Sequence, residues 1–167
     1  GNNRDVSQQV TVNGPFGSFY LREKESPIVC IAGGSGLAPI KALLEGGVLD
    51  QVERDVVFLF GARTQEDLYC VDEIKKLKDK WNKNYKFDFI PVLNMEPENS
   101  DWQGGRGLVT DYFENEIIKK DNIDVSDWQG YLCGPPPMID AACEVLEKHG
   151  IKSDEIFYDK FTDSRDL

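Results

Sequence analysis

The sequence predicts an α/β fold, a doubly wound, five-stranded, Rossmann-like parallel sheet. Three observations carry this. Apolar runs of strand length alternate with segments of helical periodicity from Ser26 to Phe161. The runs are apolar throughout rather than alternating, which suits strands covered on both faces. The first of them, Ile28 to Ala32, passes at once into Gly33, Gly34 and Gly36 and then into a helix start.

Taken in order, Gly1–Gln9 is polar and carries no signal for an element. Val10–Val12 alternates like a strand, Asn13–Gly17 is a turn cluster, and Ser18–Leu21 reads as a second short strand. Residues 1–25 are therefore expected to be the last strands of a preceding domain, and residues 26–167 the α/β domain. After the first strand, Ala38–Leu44 reads as a helix that stops at Gly46-Gly47. Pro39 lies in its first turn, where a missing N–H costs nothing. Asp55–Gly61 is the second strand. Glu66–Trp81 is helical, with Leu68, Val71, Ile74 and Leu77 on one face. Lys86–Leu93 is the third strand, and Asn94–Gly107 a long polar connection. Leu108–Ile118 is helical and Gly130–Cys133 a short fourth strand. Pro136–His149 is a helix with Ile139, Ala142, Cys143 and Leu146 inward and Gly150 as its C-terminal cap. Ile156–Phe161 is the fifth strand.

Composition excludes several classes. The chain has 167 residues, about one domain, and a net charge of −11. That charge argues against nucleic acid or an anionic membrane as partner. No apolar run approaches the ~20 residues of a membrane span. Cys30, Cys70, Cys133 and Cys143 form no C-x-x-C, so no zinc or cysteine-ligated iron–sulfur site is expected in this chain. Thiols within apolar strands and helices suit a reducing compartment. His149, before Gly150, reads as a solvated cap, and Asp159 with Lys160 as a surface pair.

Two stretches carry chemistry. A strand, a glycine turn and a helix start make a phosphate cradle, because glycines let the backbone approach an anion and the helix N-terminus supplies N–H groups. From Gly34 the turn reads G-S-G-L-A-P, with Pro39 where the dinucleotide fingerprint has its third glycine. The same residues also suit a tight turn with no ligand. The second stretch is Cys133-Gly134-Pro135-Pro136, where the fourth strand ends and a helix begins. Ligands of open α/β sheets bind at such strand ends, so a thiol there is on the ligand side. A buried cysteine in a proline-capped turn is the alternative.

Five motifs occur in register: Gly14-Pro-Phe-Gly17, Ala32-Gly-Gly-Ser-Gly-Leu-Ala-Pro39, Phe60-Gly-Ala-Arg63, Tyr131-Leu-Cys-Gly-Pro135 with Met138, and Asp159-Lys-Phe161. Together they resemble the nicotinamide-binding half of the ferredoxin–NADP reductase superfamily. The likeness is to the reductase components of bacterial oxygenases, such as benzoate dioxygenase and methane monooxygenase reductases. The flavin-binding polypeptide of the sodium-pumping NADH:quinone reductase is similar too.

The resemblance implies that NADH passes a hydride to FAD held mainly by a domain outside this chain, and that single electrons then go to an iron–sulfur centre. It implies a flavin-binding domain and a ferredoxin or [2Fe-2S] domain as partners, and an oxygenase beyond them. It places Gly33, Gly34, Ser35, Gly36 and Pro39 at the pyrophosphate, with Ala62 and Arg63 in the adjoining motif. Cys133 would lie beside the nicotinamide, with Gly134, Pro135 and Met138 shaping that pocket and Thr110 lining it. Phe161 falls where an aromatic borders the flavin ring. The family's Arg-x-Tyr-Ser/Thr flavin motif is absent from these 167 residues. The expected location is the cytoplasm or the cytoplasmic face of a membrane complex.

Charge bears on the cofactor. An extra phosphate on NADP needs cations, and in NADP-dependent relatives a Ser-Arg pair follows the third strand. Here Leu93-Asn94-Met95 stands there, while Gln65, Glu66 and Asp67 follow the second strand. Arg63 is the counter-evidence, but an arginine there also occurs in NADH-using relatives, and NADH is the expected cofactor. Glu66 and Asp67 also suit helix N-terminal carboxylates. A stand-alone nucleotide-binding or regulatory module without redox turnover is the second reading.

Overall fold

The structure, a computed structural model, describes residues 19–161. The expected strand Val10–Val12 and turn Asn13–Gly17 lie outside them. Six parallel strands, β1 (Ile28–Gly33), β2 (Val56–Ala62), β3 (Phe87–Leu93), β4 (Gly105–Arg106), β5 (Gln129–Gly134) and β6 (Ile156–Lys160), form one sheet. Their order is β4-β3-β2-β1-β5-β6. The expected five strands are all present. The sixth, β4, lies in the connection read as irregular. It pairs only Val92 with Gly105 and Leu93 with Arg106, and two residues cannot show a strand periodicity.

The apolar runs are central because both faces are covered. Ile28, Cys30 and Ala32 point to one cluster, with Leu37, Ile40 and Leu44 of helix α1 (Leu37–Leu49) and Ile74 of helix α2 (Val71–Lys80). Val29 and Ile31 point to the other, with Val109 of helix α3 (Val109–Tyr112) and Ile139, Ala142 and Leu146 of helix α4 (Pro136–Lys148). Each fully buried side chain of this kind contributes about 1.5–3 kcal/mol.

Four expectations change. Helix α1 does not stop at Gly46-Gly47 but continues to Leu49. Gly47 is there for approach, not termination: a Cβ on it would stand 2.7 Å from the buried Trp81 indole. The helix expected over Glu66–Trp81 is broken into a 3₁₀ turn, Gln65–Asp67, and α2, with Cys70 between them in the left-handed region at φ 59°. The helix expected over Leu108–Ile118 is α3 followed by a π-helical segment, Phe113–Lys119. Phe19–Leu21 is not a strand. Instead Phe19 packs edge-on against Tyr131, ring centroids 6.1 Å apart.

Candidate functional site

The chain moves outward from β1 to β4, then returns to the other side of β1 for β5 and β6. That reversal opens a crevice at the carboxyl ends of β1 and β5, the place where such sheets bind ligands. A cleft of about 800 Å³ lies there.

Its floor is made by close backbone approach. A Cβ on Gly36 would stand 1.9 Å from the Cys133 carbonyl oxygen, so only glycine lets the turn after β1 close onto β5. Gly34 has φ 57° with nothing within 4 Å of a would-be Cβ, so the left-handed turn is open at that residue. Gly33 and Gly134 meet over Met138, whose sulfur would be 2.6 Å from a Cβ on Gly33.

Of the residues named from sequence, Gly33, Gly34, Ser35, Ala62, Arg63, Asp67, Thr110, Pro135 and Met138 line the cleft. Gly36, Pro39 and Gly134 are buried beneath the turn rather than on the wall. Glu66 is exposed and does not line the cleft. Cys133 is fully buried on the α1 face; it is its carbonyl that the glycine turn meets. Phe161 packs against the same cluster, and its N–H donates to the Gly134 carbonyl at 2.9 Å, which ties the end of β6 to the end of β5.

Arg63 and Asp67 are the charged residues among those lining the cleft. Asp67 also accepts from the Thr64 N–H at 3.2 Å, so it is a capping carboxylate as well as a wall residue. Two carboxylates not singled out from sequence stand near it. Glu96 accepts from the Gln65 N–H at 2.9 Å and from its side-chain amide at 2.7 Å, and these bonds hold its carboxyl below the ordinary range. Asp101 accepts from the same amide at 3.0 Å. Arg106 braces that loop, donating to the carbonyls of Glu96 and Pro97 at 3.2 Å each.

Tyr69 was also missed. It lines the cleft, and its hydroxyl donates to the Gly34 carbonyl at 2.8 Å. Asp159, expected on the surface, is only 6% exposed, and burial pushes its carboxyl upward. Lys160 pairs instead with Asp140 at 3.0 Å. His149 is a helix cap, as expected, but it is tied to Glu114 at 2.7 Å.

Residues 30–144 match the sequence pattern of the oxidoreductase NAD-binding domain. The chain belongs to this family. The NAD-binding domain is 46% identical over 152 residues to the xylene/toluene monooxygenase electron transfer component of Pseudomonas putida, covering 91% of this chain and 41% of that one. It is 40% identical over 161 residues to the reductase component of the propane 2-monooxygenase of Gordonia sp. (strain TY-5), over 94% of this chain and 44% of that one. Among solved structures it resembles an Amycolatopsis cytochrome P450 reductase, with a TM-score of 0.73 and 29% identity over 89% of this chain and 42% of that one. The chain thus spans about two fifths of these relatives. The ferredoxin reductase-like resemblance and the α/β fold read from the sequence both hold. Among the described residues no helix is long and apolar enough to cross a membrane.

Proposed function

We propose that this chain is the NADH-binding part of a flavin-dependent electron-transfer reductase. The observation that carries the reading is the glycine-floored cleft at the β1–β5 switch, with α1 starting at its base. The residues present fit a dinucleotide. Gly34 leaves its backbone open, Gly36 brings the N-terminus of α1 against β5, and the first N–H groups of that helix suit a pyrophosphate. Asp67 on the wall, with Glu96 and Asp101 tied to Gln65 of the same turn, suits ribose hydroxyls better than a ribose phosphate and favours NADH over NADPH, against Arg63, a cation on the same wall.

Bound in the cleft, a nicotinamide would supply hydride-transfer chemistry toward FAD on another domain, which would pass single electrons to an iron–sulfur or ferredoxin partner. This chain binds and orients. Gly134, Pro135 and Met138 shape the end of the cleft beside β5, and Thr110 closes the opposite wall. Cys133 and Phe161 share the α1 face at the ends of β5 and β6, where we place the flavin-bearing domain. We place the protein in the cytoplasm, in keeping with four cysteines that form no disulfide.

Stopped-flow reduction of the flavin by saturating NADH, in the complete reductase that contains this chain, tests the reading. Cys133→Ala is expected to slow flavin reduction about tenfold or more with NADH affinity little changed. A normal rate with weakened NADH binding would show that Cys133 only packs. Absence of any NADH-dependent flavin reduction in the wild type would favour the regulatory module.

A further inference from the structure

Helix periodicity predicts one continuous helix from Glu66 to Trp81, and Leu68, Val71, Ile74 and Leu77 would line its buried face. The chain breaks that helix. Cys70 adopts φ 59°, a left-handed conformation that is unfavourable for a non-glycine residue. Local rules that fail in this way point to function. The break delivers Tyr69 to the cleft, 40% exposed, with its ring edge-on to Phe60 at 5.6 Å and 82°.

The hydroxyl at the far end of that ring donates to the Gly34 carbonyl at 2.8 Å, joining the loop after β2 to the loop after β1. Gly34 needs such a tie. It sits at φ 57° with nothing within 4 Å of a would-be Cβ, and neither the 3₁₀ turn Gly34–Gly36 nor α1 has a side-chain cap. A peptide group is planar, so pinning the Gly34 carbonyl fixes the whole Gly34–Ser35 peptide plane and the path into α1.

We infer that Tyr69 is a positioning residue for the phosphate cradle: by holding the Gly34 carbonyl it pre-forms the turn that receives a nucleotide pyrophosphate. The inference rests on the nucleotide-binding reading above. It makes the loop after β2 part of the phosphate site, although none of its side chains need touch a phosphate. Preorganisation of this kind raises affinity by lowering what must be ordered on binding.

The test is calorimetric titration of wild type, Tyr69→Phe and Tyr69→Leu with NAD+, ADP and adenosine, together with thermal unfolding. Tyr69→Phe keeps the ring against Phe60 and loses only the hydroxyl. It is expected to weaken NAD+ and ADP about three- to tenfold, the range of one hydrogen bond, with adenosine binding and the unfolding midpoint unmoved. Amide exchange at Ser35 and Gly36 is expected to quicken. Tyr69→Leu is expected to lower the unfolding midpoint with little further loss of ADP affinity, separating packing from positioning. Unchanged ADP affinity in Tyr69→Phe would overturn the inference. So would an equal loss for ADP and adenosine, which would place Tyr69 against the nucleoside. A wild type that binds neither NAD+ nor ADP would overturn the nucleotide reading and this inference with it.

Discussion

The two ends of one sheet are built in opposite ways. At the amino ends of the strands, polar groups satisfy one another. Arg54 is 3% exposed and donates to the carbonyls of Ser26 at 2.7 Å and Arg22 at 2.9 Å, and to the Gln129 side chain at 2.7 Å. Gln129 in turn meets Tyr131 and Glu155. Burial pushes the Tyr131 hydroxyl up to about 12, so it stays protonated and donates in that network. At the carboxyl ends, glycines replace side chains and the backbone itself forms the floor. One end of the sheet is closed by side chains and the other is left as bare backbone, and the proposed binding site lies at the second.

Four substitutions sharpen the comparison. The largest effect is expected from Gly36→Ala. Its Cβ would stand 1.9 Å from a backbone oxygen that cannot turn aside, so β1 and β5 must part. We expect a loss of about 3 kcal/mol or more in denaturant unfolding and loss of nucleotide binding. Arg54→Met is next. It takes the guanidinium donor from the Ser26 and Arg22 carbonyls and leaves Gln129 with Tyr131 and Glu155 alone, and about 3 kcal/mol is expected to go, while nucleotide affinity, read by calorimetry, stays constant. A fall in affinity there would mean that the two ends are not independent.

Glu114→Gln probes a smaller tie. Lys148 at 2.8 Å and His149 at 2.7 Å hold the Glu114 carboxyl down, from 4.5 to about 2. A depressed folded-state value means stability that is present above the ordinary carboxylate range and lost as pH falls toward 2. Wild type and variant are therefore expected to differ in unfolding midpoint at pH 6 and to converge near pH 2. Asp159→Asn has the opposite sign. Burial raises its carboxyl, so its stability cost appears as pH rises through the folded-state value. The variant is expected to unfold slightly above wild type at pH 7 and level with it in acid.

What was legible in the sequence follows from the same contrast. The glycine turn could be read because strand, glycines and helix start are adjacent in the chain. Gly33, Gly34 and Ser35, proposed as the phosphate cradle, line the cleft. Arg54 could not be read, since its partners Ser26 and Gln129 lie 28 and 75 residues away. Tyr69 was hidden by a helical apolar stripe that runs unbroken through it, and Glu96 by a loop whose form depends on Arg106 and Gln65. Gly46-Gly47 misled because glycine serves both to end a helix and to let a ring approach one, and only Trp81 decides which.

The most direct measurement is titration of the isotope-labelled chain with NADH and with NADPH, followed by amide chemical shifts. NADH is expected to saturate, to bind more tightly than NADPH, and to shift Gly33–Gly36 and Ala62–Asp67 while leaving the amides around Arg54 and Gln129 still. NADPH binding about tenfold tighter than NADH, or shifts gathered at the Arg54 end, would contradict the account.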